Sequence, residues 1–363
     1  MLPREATRRV WVGGVPLGGG APVAVQGMTK TDTRDLPATL GQVRAMAARG
    51  CELVRVAVPD AEAARSLPAL VRESPVPVIA DIHFDYRLAL AALDAGVAKL
   101  RLNPGNLKGR EAAATVAREA RARGVPVRVG VNLGSLPVHG AASGAAAMVT
   151  TALEQARVLE DAGLTDIVLG LKASDVLTTL AAYRLASQRS NYPLHLGLTE
   201  AGTAWSGGLR SAVGLGILLA EGIGDTIRVS LAASALQEVD AAYIILGALG
   251  LRERGVRVVA CPTCGRCRQD LGGVADAVED ALRDVPVPLT VAVMGCEVNG
   301  PGEAKAADLG VAATLDGAVL FREGNFVRRL KPGEMVPELV REVRELALTR
   351  QGGSGNMRDK RTE

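Results

Sequence analysis

The chain has 363 residues, 48% of them hydrophobic but only 2% aromatic, with a formal net charge of +3. That length carries one large domain and a smaller one, and the small charge gives no nucleic-acid footprint by itself. The N-terminus lacks the apolar run of a signal peptide, and the longest apolar stretch, 241–251, is too short to span a bilayer, so the expected setting is cytoplasmic and reducing.

Residues 1–20 hold Val10-Trp11-Val12 between charged residues and glycines, and read as a short hairpin. From Pro22 an apolar strand, a helix-length Ala/Leu/Arg/Glu-rich segment and a glycine before the next strand recur. Eight strands are predicted at 23–26, 53–58, 76–82, 99–103, 127–132, 167–172, 194–199 and 226–231. Alternation of strand and helix implies a parallel sheet. Eight such units over the first 252 residues predict an α/β fold of the (β/α)8 TIM-barrel type. An open doubly wound sheet is the alternative, weakened because no G-x-G-x-x-G follows a strand.

Five strands set a basic or imidazole side chain between apolar neighbours, at Arg55, Arg101, Arg128, His195 and Arg228, and a sixth ends in Lys172. A buried parallel strand should read as continuously apolar, and an unpaired buried charge costs several kcal/mol. The strand-end acids in view, Asp81 and Glu200, are too few to neutralise these cations. The surplus implies an anionic ligand, with arginine gripping phosphate oxygens bidentately and lysine adding a point charge. Several cations round one pocket suggest a diphosphate or two phosphates. Asn132, Thr199 and Ser230 join the same rim, where barrel active sites lie. Glu200, Asp81 and His83 are the residues expected to handle protons.

A boundary is expected near Arg252. Beyond it, 256–260 reads as a strand delivering Cys261, 271–284 as a helix, and 289–294 as a strand delivering Cys296. Short strands follow, then a helix over 334–348 and a tail, 351–363, expected to be disordered. This part carries four of the five cysteines, in Cys261-Pro-Thr-Cys264-Gly-Arg-Cys267 and in Gly295-Cys296-Glu297-Val-Asn-Gly-Pro-Gly-Glu303. Thiols gathered so bind a metal or cluster or do redox chemistry; a structural zinc site and a metal-free thiol group are the alternatives. Cys51, at the start of a strand, reads as a core residue.

These stretches, with Ala24-Val-Gln-Gly-Met-Thr29, Val78-Ile-Ala-Asp-Ile-His-Phe-Asp-Tyr-Arg87, Leu100-Arg-Leu-Asn-Pro-Gly-Asn106, Lys172-Ala-Ser-Asp175 and Leu194-His-Leu-Gly-Leu-Thr-Glu-Ala-Gly202, closely resemble bacterial 4-hydroxy-3-methylbut-2-enyl diphosphate synthases. The resemblance implies a TIM barrel joined to a small α+β iron–sulfur domain, 253–350 here, with a [4Fe-4S] cluster held by Cys261, Cys264, Cys296 and Glu303. It implies 2-C-methyl-D-erythritol 2,4-cyclodiphosphate as substrate and a two-electron reductive ring opening with loss of water. Flavodoxin or ferredoxin would supply the electrons, and a homodimer would set the barrel of one subunit to work with the cluster domain of the other. Arg55, Arg101, Arg128, Lys172 and Arg228 would then hold the diphosphate, and Glu303 would occupy the fourth iron at rest. Cys267 departs from the family pattern and is read as a bystander.

Two rival functions share parts of this pattern. A zinc-containing barrel lyase or hydrolase would use the cationic pocket without an electron donor. A nucleic-acid-binding module with a zinc ribbon is opposed by the near-neutral charge and the lack of interleaved aromatic residues.

Overall fold

The computed structural model describes residues 4–103, 107, 109–136, 144–264, 267, 271–296 and 305–356. The chain divides into two compact units, Met1–Arg252 and Glu253–Glu363.

In the first unit a hairpin, β1 (Val10–Val12) and β2 (Val15–Leu17), precedes eight parallel strands. These are β3 (Ala24–Met28), β4 (Leu53–Ala57), β5 (Val78–Asp81), β6 (Lys99–Leu102), β7 (Val127–Asn132), β8 (Ile167–Lys172), β9 (His195–Leu196) and β10 (Thr226–Ile227). Their order is β8-β7-β6-β5-β4-β3-β10-β9, and a parallel bridge between Leu169 and Leu194 joins β8 to β9 and closes the barrel. The helices between them are α1 (Leu36–Ala48), α2 (Ala61–Glu73), α3 (Tyr86–Asp94), α4 (Arg110–Ala122), α5 (Gly144–Asp161), α6 (Val176–Arg189) and α7 (Ala204–Ala220), with α8 (Ala235–Ala248) after β10. Asp35, Asp60, Asp85, Asp175, Thr203 and Ser234 cap helix N-termini, each accepting from a backbone N–H that the helix leaves unpaired.

Side chains alternate across each strand. Val54, Val56, Leu100, Leu102, Val127, Val129, Leu169 and Leu171 face outward into one continuous core with the helices. Burying such a side chain stabilises the fold by about 1.5–3 kcal/mol. The alternate residues face the barrel axis. At its N-terminal end Ala24, Leu53, Ile79 and Val168 pack on Val10, Val12 and Leu17, so the hairpin plugs the bottom with apolar side chains. Above this layer the interior turns polar.

The last two predicted strands are cut back to two residues each. Thr226–Ile227 and His195–Leu196 replace the predicted 226–231 and 194–199. The ladder gives out at Gly197, where a Cβ would lie 2.5 Å from Lys172 Nζ and 2.8 Å from the Arg228 carbonyl oxygen. The Lys172 Nζ occupies the space a side chain would fill.

The second unit is a five-stranded sheet: β11 (Val256–Ala260), β12 (Leu289–Met294), β13 (Leu309–Thr314), β14 (Gly317–Arg322) and β15 (Asn325–Leu330), in that order. β11, β12 and β13 are parallel and the last two pairings antiparallel. Helices α9 (Leu271–Leu282) and α10 (Met335–Asn356) cover one face through Leu271, Val278, Leu282, Leu339 and Val343. α10 runs to Asn356, past the glycines at 352 and 353 and into the stretch expected to be disordered, while 357–363 lie outside the described residues. Extending a nucleated helix adds one hydrogen bond per residue, which offsets poor intrinsic propensity. Among the described residues no helix is long and apolar enough to cross a membrane.

Candidate active site and thiol group

The C-terminal mouth of the barrel opens into a cavity with about 520 Å³ of empty space. Among the described residues its walls carry Arg55, Arg101, Arg128, Lys172 and Arg228, with Asp81 as the one carboxylate. His83, Asn132, Thr199 and Ser230 complete the polar lining. Five cations against one carboxylate is the surplus that the strand pattern predicts.

Asp81 gathers part of this charge. Its Oδ1 accepts from Arg101 Nη1 at 3.1 Å, and its Oδ2 lies 3.6 Å from both Arg55 Nε and His83 Nε2. Burial alone raises a carboxyl's pKa, but Arg55, the His83 hydrogen bond and Arg101 outweigh it and hold Asp81 well below the usual carboxylate range. A carboxylate held ionised by three neighbours organises the charge around it, and His83 stands half exposed at the cavity wall.

The other cations are less well matched. Arg128 is 2% exposed, and its Nε and Nη1 have no hydrogen-bond partner. Arg101 Nε and Arg228 Nε are likewise unpartnered. Burial and then the neighbouring cations push the pKa values of Arg128 and Lys172 well below their usual ranges. Burial lowers that of Arg55 to about 10 despite Asp81. A buried donor without an acceptor costs about 1–3 kcal/mol, more when charged. The mouth therefore stores an electrostatic cost that an anion with several acceptor oxygens relieves. An interior glycine makes room for one of these side chains: a Cβ at Gly130 would stand 2.7 Å from Arg101 Nε.

Two predicted residues lie elsewhere. His195 is completely buried beneath the cavity and does not line it; its Nδ1 is 3.5 Å from Thr226 Oγ1. The strand alternation turns it inward, but one layer nearer the plugged end. Glu200 is exposed and lines a neighbouring pocket with Lys30, Gly202, Arg228, Ser230 and Glu238. It holds a φ of 52°, a left-handed conformation costly outside glycine. Sequence reasoning also missed Glu238, a 2% exposed carboxylate on the first turn of α8, and Lys99, fully buried below Arg128 with an unpartnered Nζ. Lys99 opens its strand one alternate position before Arg101, and that period-two signal was available.

In the second unit, β11 and β12 end side by side and deliver thiols to one edge of the sheet. The Cys261 N–H donates to the Val293 carbonyl oxygen at 3.0 Å, and Cys296 follows Met294 by two residues. The Cys267 N–H donates to the Cys264 carbonyl oxygen at 2.8 Å, and a Cβ at Gly295 would stand 2.9 Å from Cys267 Sγ. All four cysteines are at least partly accessible. Cys51 differs: it is buried in the barrel core, accepts from the Gly27 N–H at 3.1 Å, and burial pushes its thiol up to about 12. Glu303 lies outside the described residues. Among the described residues no three His, Cys, Asp or Glu side chains converge on a single-ion site.

The GcpE TIM-barrel domain matches residues 7–243, and the GcpE protein C-terminal domain matches residues 257–345. The chain belongs to the GcpE family. A relative from Geobacter sulfurreducens is 54% identical over 348 residues, covering 94% of this chain and 98% of that protein. One from Maridesulfovibrio salexigens is 49% identical over 97% of this chain and 100% of its own length. Both are named 4-hydroxy-3-methylbut-2-en-1-yl diphosphate synthase (flavodoxin). Among solved structures, a dihydropteroate synthase from Xanthomonas albilineans superimposes with a TM-score of 0.50 at 18% identity, over 66% of this chain and 98% of that one. That likeness is one of fold alone. In this GcpE chain the donor chemistry at the β11–β12 edge fits a thiolate-held cluster: partly accessible cysteines brought together by two adjacent strand ends.

Proposed function

We propose that this GcpE-family chain catalyses the reductive ring opening of 2-C-methyl-D-erythritol 2,4-cyclodiphosphate to 4-hydroxy-3-methylbut-2-enyl diphosphate, with loss of water. The observation that carries this reading is the barrel mouth, where among the described residues five cations face one carboxylate and N–H groups of Arg101, Arg128 and Arg228 await acceptors. A cyclic diphosphate supplies several anionic oxygens to one such cavity. Arg55, Arg101, Arg128, Lys172 and Arg228 bind the two phosphates, with Asn132, Thr199 and Ser230 hydrogen-bonding alongside. Asp81 keeps Arg55, Arg101 and His83 in place. His83 and Glu200 are the groups placed to deliver the proton for the departing water.

Cys261, Cys264, Cys296 and Glu303 would hold a [4Fe-4S] cluster. When bound, such a cluster supplies single electrons to a substrate and draws them from a small redox protein, flavodoxin or ferredoxin. The enzyme acts in the cytoplasm as a homodimer. On α7 an apolar stripe of Trp205, Leu209, Val213 and Ile217 lies exposed at four-residue spacing, with Gly208 and Gly216 open beside it, and this face suits a second copy of the chain.

The test is iron, acid-labile sulfide and zinc per chain on protein purified without oxygen, followed by turnover of the cyclic diphosphate with a chemical reductant. Four irons and four sulfides with turnover support the reading. One zinc with no sulfide, persisting after reconstitution, overturns it in favour of a zinc-containing barrel enzyme.

A further inference from the structure

Beside the main cavity, Glu238 joins three parts of the barrel mouth that no strand ladder connects. Its Oε2 accepts from Arg228 Nη2 at 3.1 Å. Its Oε1 accepts from the Leu231 N–H at 2.9 Å and lies 3.0 Å from Lys30 Nζ. Lys30, in the loop after β3, also donates to the carbonyl oxygens of Leu231, at 2.7 Å, and of Ala233, both in the loop after β10. The ladder between β3 and β10 ends at the pairs Ala24–Thr226 and Val25–Ile227. Above that point Lys30 and Glu238 carry the seam. The same loop is tied to its other neighbour where the Ala232 N–H donates to the Gly202 carbonyl oxygen at 2.9 Å.

Glu238 thus matters in two ways. It takes one face of the Arg228 guanidinium and leaves Nε unpartnered. It also answers Lys30, so among the described residues the pocket containing Glu200 carries two cations and two carboxylates, while the adjoining cavity carries five cations and one carboxylate. A charge-neutral pocket against a cationic one separates a phosphate-bearing end from an uncharged, hydroxyl-bearing end of a ligand, and Arg228 and Ser230 line both.

We infer that Glu238, braced by Lys30, is a positioning residue that holds Arg228 in the orientation that binds the substrate's diphosphate. The inference rests on the function proposed above. Arginine grips phosphate bidentately only when its plane is fixed, and a guanidinium freed from its carboxylate loses that advantage.

The experiment is a double-mutant cycle on the cluster-loaded enzyme, with Glu238→Gln, Arg228→Met and the double variant. Calorimetry measures the affinity for inorganic pyrophosphate, and turnover gives KM and kcat separately. Each single change is expected to weaken pyrophosphate binding about tenfold, and the double variant no more than Arg228→Met alone, because coupled residues fail to add. Additive losses, or Glu238→Gln binding like wild type, overturn the inference; a purely structural role for Glu238 gives additivity. Should Glu238→Gln not fold, Lys30→Met at the partly exposed end of the clamp takes its place, and a loss that persists undiminished in the Arg228→Met background overturns the inference. Absence of pyrophosphate binding in the wild type is a different result: it removes the diphosphate reading of the mouth and this inference with it.

Discussion

Arg101 and Gly130 stand against one another across the neighbouring strands β6 and β7: a Cβ at Gly130 would lie 2.7 Å from Arg101 Nε and 3.2 Å from Nη2. The absent side chain is therefore part of the site. Gly130→Ala must displace the guanidinium, which is pinned by Asp81 at 3.1 Å. Overpacking a buried position costs about 1–3 kcal/mol. We expect KM for the cyclic diphosphate to rise about tenfold or more, with a lowered Tm. A variant with unchanged KM shows that Arg101 does not hold the ligand.

Arg128→Met separates stability from binding. The side chain is buried, and two of its nitrogens have no partner. A buried charged donor without an acceptor costs stability, and an apolar side chain of similar length removes that cost. The ligand, however, loses charge-assisted hydrogen bonds of about 1.5–3 kcal/mol each. The expected result is an equal or higher Tm in the ligand-free protein together with affinity for the diphosphate reduced about a hundredfold. A lower Tm with unchanged affinity would assign Arg128 a structural role.

The crowded cations also predict a pH dependence. Burial, Arg228 and Arg55 push Lys172 well below its usual range in the free protein, and an anion beside it restores the ammonium. Between the free and bound pKa values, binding takes up a proton, so affinity weakens as pH rises through that window. In the ligand-free protein the unfolded chain binds the proton more tightly, so this group's effect on stability grows more favourable as pH rises from the depressed folded pKa towards 10.5. Calorimetry in buffers of different ionisation enthalpy measures the uptake, and Lys172→Met should reduce it by close to one proton. Equal uptake in that variant would place the titrating group elsewhere.

Much of this site was legible in the sequence because a barrel strand has a period of two. The triplets around Arg55, Arg101, Arg128, His195 and Arg228 mark inward-facing polar positions between outward-facing apolar ones, and the barrel follows from the same count. Depth along the axis was not legible. His195 and Arg128 look alike in sequence, yet one lies beneath the cavity and the other on its wall. Residues brought in from outside the strands were also hidden. Glu238 sits on a helix, immediately after the Gln237 of a capping box, and nothing local distinguishes it from a surface carboxylate. Only the fold sets it 3.1 Å from Arg228 and 3.0 Å from Lys30.

Cys267 lies against Gly295, next in the chain to Cys296. As a bystander it should be dispensable for the cluster. Cys267→Ser is expected to retain wild-type iron and sulfide per chain after anaerobic reconstitution, while Cys261→Ser and Cys296→Ser lose most of both. Iron loss in Cys267→Ser would make it a ligand.

The exposed stripe on α7 predicts how the protein assembles. Val213 is 54% exposed at its centre, so a charge there leaves the barrel core untouched. Surface substitutions away from buried features usually change stability by no more than about 0.5 kcal/mol. Val213→Glu should therefore fold with a near-native Tm. If the stripe is buried against a second copy, the same change places two carboxylates in an apolar interface, where unpaired burial costs several kcal/mol, and light scattering should report monomers in place of dimers. Dimers that persist at the wild-type dissociation constant would move the interface off α7. If the barrel of one copy works with the thiol group of another, the monomeric variant should also lose turnover while still binding the cyclic diphosphate, since the described residues that line the mouth all belong to the barrel unit.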